Sequence, residues 1–288
     1  MISGAESVIR VLTIATLGCL LFASGLRVTW AEVRSSLHQN RLGWILPVNF
    51  VLTPALAFTF SRLFQLSTDA AAGIALLAAA PFAPVVPTFV RMAKGDLALA
   101  SALTALFPFV SAFLTPLVCQ YSLKFWPETG SLRFNVSAIF FVLVSTITLP
   151  LAVGVAVRHR VPALARRLLK PIEIVAETTG AVALIYVTLV EFQRIRLVGW
   201  KSLLAMALTS ELSFIAGYAL SGPARAQRLV IGLGTANRNI ALALLIAIES
   251  FPDSPIVAAV VSNGLLLIFL GLIHVGLCRF FVPAEKGV

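Results

Sequence analysis

The chain has 288 residues and a formal net charge of +10, from 22 Lys or Arg against 12 Asp or Glu. Only 12% of residues are charged and 59% are hydrophobic, where an ordinary soluble domain carries about 25% charge. That balance excludes a soluble enzyme of ordinary type and a disordered chain, and it indicates an all-α polytopic membrane protein with little mass outside the bilayer.

Nine apolar runs have the length of a membrane span, about 20 residues. In chain order they are 11–29, 43–61, 68–89, 97–120, 135–157, 172–190, 199–221, 229–248 and 255–277. The first continues past signal-peptide length and is expected to be retained. The third, AAGIALLAAAPFAPVVPTFV, holds Pro81, Pro84 and Pro87. Each proline lacks an N–H and obstructs a helix interior, so the helix should open for a turn or more. The eighth, LVIGLGTANRNIALALLIAIE, is interrupted by Gly232, Gly234, Thr235, Asn237, Arg238 and Asn239. A second broken helix is expected at 234–239. Open backbone is costly in lipid, so both breaks must face protein or a wet cavity.

The connectors are short. The basic stretch 158–171, RHRVPALARRLLKP, reads either as an amphipathic helix on the membrane surface or as a basic loop. Seven Lys or Arg fall on the side of the N-terminus and fourteen on the other; the remaining base is Arg238, inside a span. The positive-inside rule then predicts an N-terminus outside and a C-terminus in the cytoplasm, with a bacterial inner membrane as the expected location. Because the bases sit in gaps between apolar runs, no nucleic-acid partner is expected; membrane lipid is. Cys19, Cys119 and Cys278 have no metal-ligand spacing, the three histidines form no cluster, and no supported nucleophile–base pair stands out. No enzyme activity and no cofactor are expected.

Spans one to four pair with spans six to nine at an offset of five, which matches the two broken members and inverts their direction. That pattern predicts an inverted-repeat transporter whose site lies where two discontinuous helices cross.

At these helices the sequence resembles the bile acid:sodium symporter superfamily. The stretches that carry the likeness are LLFASGLRVTWAEVR, NFVLTPALAF, APFAPVVPTFVRMAKGDLALASALTAL and GTANRNIALAL. The resemblance implies ten helices in the family and nine here, with the first missing. It implies a panel of 11–29, 135–157 and 172–190 moving against a core of the other six spans, and an organic anion as cargo. It also implies two sodium sites. Their ligand positions fall on Val86, Pro87, Ala100, Thr104 and Gly234 for one, and on Asn49 and Arg238 for the other, with carbonyls near Gly234, Thr235 and Asn237. In the first set only Thr104 keeps a side-chain oxygen, and Arg238 is donor-only. Sodium coupling is therefore in doubt, and proton coupling or uncoupled transport is the alternative.

The candidate substrate residues are Asn49, Thr88, Thr104, Glu211, Thr235, Asn237, Arg238 and Asn239. Glu211 lies mid-span as either an ion-pair partner of Arg238 or a protonatable coupling group. Glu173 and Glu177 are read as headgroup-level acids. Other function classes left open are a channel for another solute and a membrane receptor that does not transport.

Overall fold

The computed structural model describes residues 4–28, 42–124 and 134–280. Every element among them is helical. Eight helices, counted through their local irregularities, are long and apolar enough to cross a membrane, so the chain is an integral, multi-spanning membrane protein.

The chain starts with α1 (Gly4–Arg27). This helix begins earlier than the expected span and carries Glu6 and Arg10 into the fold. α2 (Leu42–Pro47) runs through a wide π-helical turn, Val48–Leu52, into α3 (Thr53–Leu63). The expected third span divides into α4 (Thr68–Ala78) and α5 (Val86–Met92), neither long enough to cross alone. α6 spans Leu97–Lys124. α7 (Val136–Leu143) passes through a second π-helical turn, Val144–Thr148, into α8 (Leu149–Arg160). Both π-helical turns have a common cause. Pro54 and Pro150 follow them, and a proline collides with the carbonyl four residues back, at Phe50 and Thr146.

The 158–171 stretch is neither a loop nor a separate surface helix. α8 reaches Arg160, and α9 (Pro162–Val190) begins two residues later and continues through Pro171. Pro162 suits a helix start because the N–H it lacks would have no partner there. Ala165 is buried while Arg166, Arg167 and Lys170 are exposed, so the basic residues form the outer face of the helix's first turns. The short α10 (Phe192–Ile195), α11 (Trp200–Leu220), the second broken pair α12 (Arg225–Ala236) and α13 (Ile240–Ser250), and α14 (Ile256–Phe280) complete the described chain.

α1 packs along α8 and α9. Its crossing with α8 is set by glycine: a Cβ on Gly25 would lie 2.4 Å from the Leu151 carbonyl oxygen, and one on Gly154 would lie 2.4 Å from that of Phe22. Small residues let membrane helices approach to backbone contact. The centre of the molecule is the α12–α13 span, 89% of whose apolar window is buried, against 17% for α9 at the periphery. α11 lies along α12, and α4 lies along α14. A continuous apolar core fills the space between α4, α13 and α14.

Candidate functional site

The two breaks meet. The first covers 79–85 and the second Asn237–Asn239. The Ala83 N–H donates to the Asn237 carbonyl at 3.1 Å, and the Asn239 N–H donates to the Ala80 carbonyl at 2.8 Å. Each broken helix thus meets part of its open backbone's demand through the other, as lipid requires.

Asparagine chemistry ends and restarts the second helix. The Asn237 amide donates to the Leu233 carbonyl at 2.8 Å. The Asn239 Oδ1 accepts from the Leu242 N–H at 3.0 Å and caps α13. Between them Arg238 is 1% exposed. Its Nη2 donates to the Thr53 hydroxyl at 2.6 Å and its Nη1 to the Ala78 carbonyl at 3.4 Å. The latter is the last turn of α4, where a cation is favoured by the helix dipole. Its Nε has no hydrogen-bond partner among the described residues. Among the described residues no carboxylate pairs with Arg238.

Of the two readings of Glu211, the ion pair with Arg238 is therefore corrected. Glu211 Oε2 lies 3.0 Å from His274 Nε2. α11 presents Ser210 and Ser213 to the crossing, whereas Glu211 projects from another side with its side chain 43% exposed. Ser213 reaches the Thr53 hydroxyl at 3.0 Å, and Ser210 donates to the Ala236 carbonyl at 3.4 Å. Asn49 is buried and donates to Thr235 Oγ1 at 3.2 Å and to the Ile45 carbonyl at 2.9 Å. The structure thus gathers Asn49, Thr235, Asn237, Arg238 and Asn239 at one junction.

Thr88 and Thr104 lie elsewhere, on a cleft between α1 and α9 on one side and α5 and α6 on the other. Pro84, Pro87, Arg91, Arg27, Glu173 and Glu177 also line it, and it encloses about 100 Å³. Arg27 pairs with Glu173, which takes that acid out of a purely headgroup role. Arg91 is exposed and forms no ion pair among the described residues. Thr104 donates to the Ala100 carbonyl of its own helix at 2.7 Å. Arg238 is not part of the cleft wall.

The junction does not fit the sodium ligand sets expected from the resemblance. Val86, Pro87, Ala100 and Gly234 offer no side-chain oxygen. The space beside Gly234 is taken: a Cβ there would lie 2.1 Å from Phe82 ring carbons. That ring is fully buried and stacks on Phe107 at 4.1 Å. Five junction carbonyls already accept from the protein itself. Ala78 takes Arg238, Ala79 takes Thr115, Ala80 takes Asn239, Ala236 takes Ser210 and Asn237 takes Ala83.

Sequence reading missed Thr53, Ser210, Ser213, Thr115, Phe82 and His274. Hydroxyls inside apolar runs carry no pattern that separates junction contacts from ordinary bonds to their own helix. Among the described residues no group of three His, Cys, Asp or Glu is placed to hold a metal.

Two comparisons bear on identity. The family model described as Sodium Bile acid symporter family matches residues 14–215. No curated protein matches the chain.

Proposed function

We propose, for a chain that belongs to the sodium bile acid symporter family, secondary active transport of an organic anion by alternating access without sodium coupling. A transport role and a non-catalytic chemistry come with the family; cargo, coupling and mechanism are this proposal. It takes the chain as a divergent nine-helix member with inverted repeats, in which α4–α5 corresponds to α12–α13. The panel is α1, α7–α8 and α9, and the remaining spans form the core. The N-terminus lies outside and the C-terminus in the cytoplasm of a bacterial inner membrane.

The carrying observation is Arg238. Its guanidinium takes a hydroxyl and a carbonyl oxygen at the junction of the breaks, the kind of ligands a bound cation would use. A tethered cation there supplies the charge permanently, so no sodium ion need enter on each cycle. The engaged carbonyls and the Phe82 ring support the same reading. Arg238 then holds the crossing together rather than gripping cargo.

Cargo is assigned to the cleft, where Arg91 forms no ion pair among the described residues and Thr88 and Thr104 supply hydroxyls. Glu173 and Glu177 balance Arg27 and Arg91 in this wall, so an anion would be held by Arg91 and the hydroxyls locally and not by an excess of positive charge. A cleft of about 100 Å³ is well below the ~300–1,000 Å³ of pockets for drug-sized ligands. Anything larger than a small carboxylate therefore requires the panel helices α1 and α9 to part from α5 and α6, which is the motion that alternating access calls for.

The test is uptake of organic anions, radiolabelled taurocholate first, into proteoliposomes with sodium replaced by choline. Uptake should persist and saturate. Strict sodium dependence would refute the Arg238 argument.

A further inference from the structure

Glu211 and His274 form a second polar feature inside the spans that the junction does not use. They sit on α11 and α14, with Glu211 Oε2 and His274 Nε2 3.0 Å apart. His274 is 6% exposed, and its Nδ1 has no hydrogen-bond partner among the described residues. Its ring stacks on Phe214 at 4.4 Å, with an interplanar angle of 12°. An ionisable pair at membrane depth is expensive to keep unless it is used. One shared proton makes the pair neutral as a unit, whether drawn as carboxylate–imidazolium or as acid–imidazole. Removing that proton leaves a carboxylate facing the bilayer depth. Adding a second leaves an imidazolium without its counter-charge. The number of protons on the pair therefore sets its net charge, and with it whether the 3.0 Å contact between α11 and α14 is attractive.

Both helices touch the second broken span beside that tie. Phe214 packs on Gly232 of α12, where an added Cβ would lie 3.1 Å from the ring. Gly271, one turn before His274, abuts Asn237: a Cβ there would lie 2.7 Å from its Oδ1. An aromatic ladder continues from His274 through Phe214 to Tyr218 at 6.0 Å, with the Arg228 guanidinium of α12 5.8 Å from the Tyr218 ring centroid. The titratable pair is thus connected by packing to both the start and the end of α12, the half-helix that ends at the junction.

Other titratable groups on these and the adjoining elements are accounted for. α11 also carries Lys201 and Tyr218, and α14 carries Cys278 and Arg279. Against them pack α3 with Arg62, α4 with Asp69, α5 with Arg91, α10 with Arg194, α12 with Arg225 and Arg228, α13 with Glu249, and α9 with Arg166, Arg167, Lys170, Glu173, Glu177 and Tyr186. None of these forms an ion pair with Glu211 or His274.

We infer that Glu211 and His274 are the proton-binding site that couples the carrier cycle, one proton entering with each monovalent organic anion. The inference rests on the carrier reading above and supplies its coupling ion. One proton with one such anion moves no net charge, and a one-unit pH gradient then sustains about tenfold accumulation.

Two measurements separate the site from the cargo. The first needs no substrate. Protein with ¹⁵N-labelled histidine is titrated in nanodiscs from pH 5 to 9, the three histidines being distinguished with H274Q. A His274 resonance that titrates, with a midpoint that moves in E211Q, is expected. A resonance that does not titrate, or one indifferent to E211Q, overturns the site. The second is taurocholate uptake driven by an inside-alkaline gradient. About tenfold accumulation per pH unit is expected in the native protein, and uptake that no longer follows the pH gradient in E211Q and H274Q. Gradient-driven accumulation that survives both substitutions overturns the coupling. Absence of any taurocholate flux overturns the cargo assignment alone, while the titration still decides the site. Monodisperse elution of both variants checks the fold.

Discussion

Gly234→Ala puts a methyl group where the Phe82 ring already sits. The new carbon would lie 2.1 Å from two ring carbons and 2.7 Å from a third. Carbon pairs rest at about 3.5–4.0 Å, so the ring has to move by well over an ångström. It has nowhere free to go, being fully buried and stacked on Phe107 at 4.1 Å. Overpacking of this kind costs about 1–3 kcal/mol, and this contact belongs at the upper end. Phe82→Ala alone opens a cavity and costs about 3–5 kcal/mol. In the double variant the new methyl enters space the ring has vacated. The pair should then cost less than the sum of its parts by about 1–3 kcal/mol. The assay is the thermal unfolding midpoint in nanodiscs, where 1 kcal/mol corresponds to roughly 2–4 °C for a chain of this order of size. A neutral Gly234→Ala, or losses in the double variant that simply add, would refute the claim that Phe82 fills the space beside Gly234, one of the ligand positions implied by the family resemblance.

Three further outcomes follow from the geometry. Arg238→Lys should lower initial uptake at least about tenfold, the loss of one charge-assisted hydrogen bond, because one ammonium group does not reproduce the guanidinium's two-armed hold on Thr53 and Ala78; a native rate would show the two-point grip to be irrelevant. Gly25→Ala should destabilise the protein by about 1–3 kcal/mol or more, since the obstacles at 2.4 and 2.8 Å are backbone atoms of α8, and an unchanged unfolding midpoint would contradict the crossing. Glu191, just past α9, has its carboxyl raised above the ordinary carboxylate range by burial, with Arg194 opposing and Glu6 and Asp253 adding. A raised folded pKa means the native state holds the proton more tightly, so its contribution is present below the ordinary carboxylate value and is lost as pH rises through the folded value. Glu191→Gln should flatten that decline in melts taken from about pH 4 upward; an unaltered slope would show that the burial cost is not felt there.

Much of the fold was legible in the chain because bilayer thickness is a length that hydropathy reports directly. The breaks were legible too, since Pro81, Pro84 and Pro87 and the run from Gly232 to Asn239 violate helix chemistry where a helix is expected. The start of α9 was not. Hydropathy sees the bases of 158–171 as an end of span, whereas a helix needs only one apolar face there. The π-helical turns at Val48–Leu52 and Val144–Thr148 were missed because a proline's collision acts on a carbonyl four residues back, and nothing in composition says whether the helix widens or kinks.

The candidate site divides along the same line. Thr235 and residues 237–239 were legible as polar groups in an apolar run, for the sequence reason that lipid makes such groups costly, and Asn49 as a position implied by the family resemblance. Their partners were not, because a partner is chosen by which face of a neighbouring helix arrives. Glu211 is the plainest case. By sequence it is the intramembrane carboxylate nearest in logic to Arg238, yet α11 turns Ser210 and Ser213 toward the junction and leaves Glu211 to His274. The sequence by itself determined that this protein spans a membrane through two interrupted helices and carries one charge too deep to be a topology signal. Only the tertiary structure decided that this charge meets oxygen atoms of the protein instead of a carboxylate. Helix rotation about its axis, not residue content, selects which side chains meet.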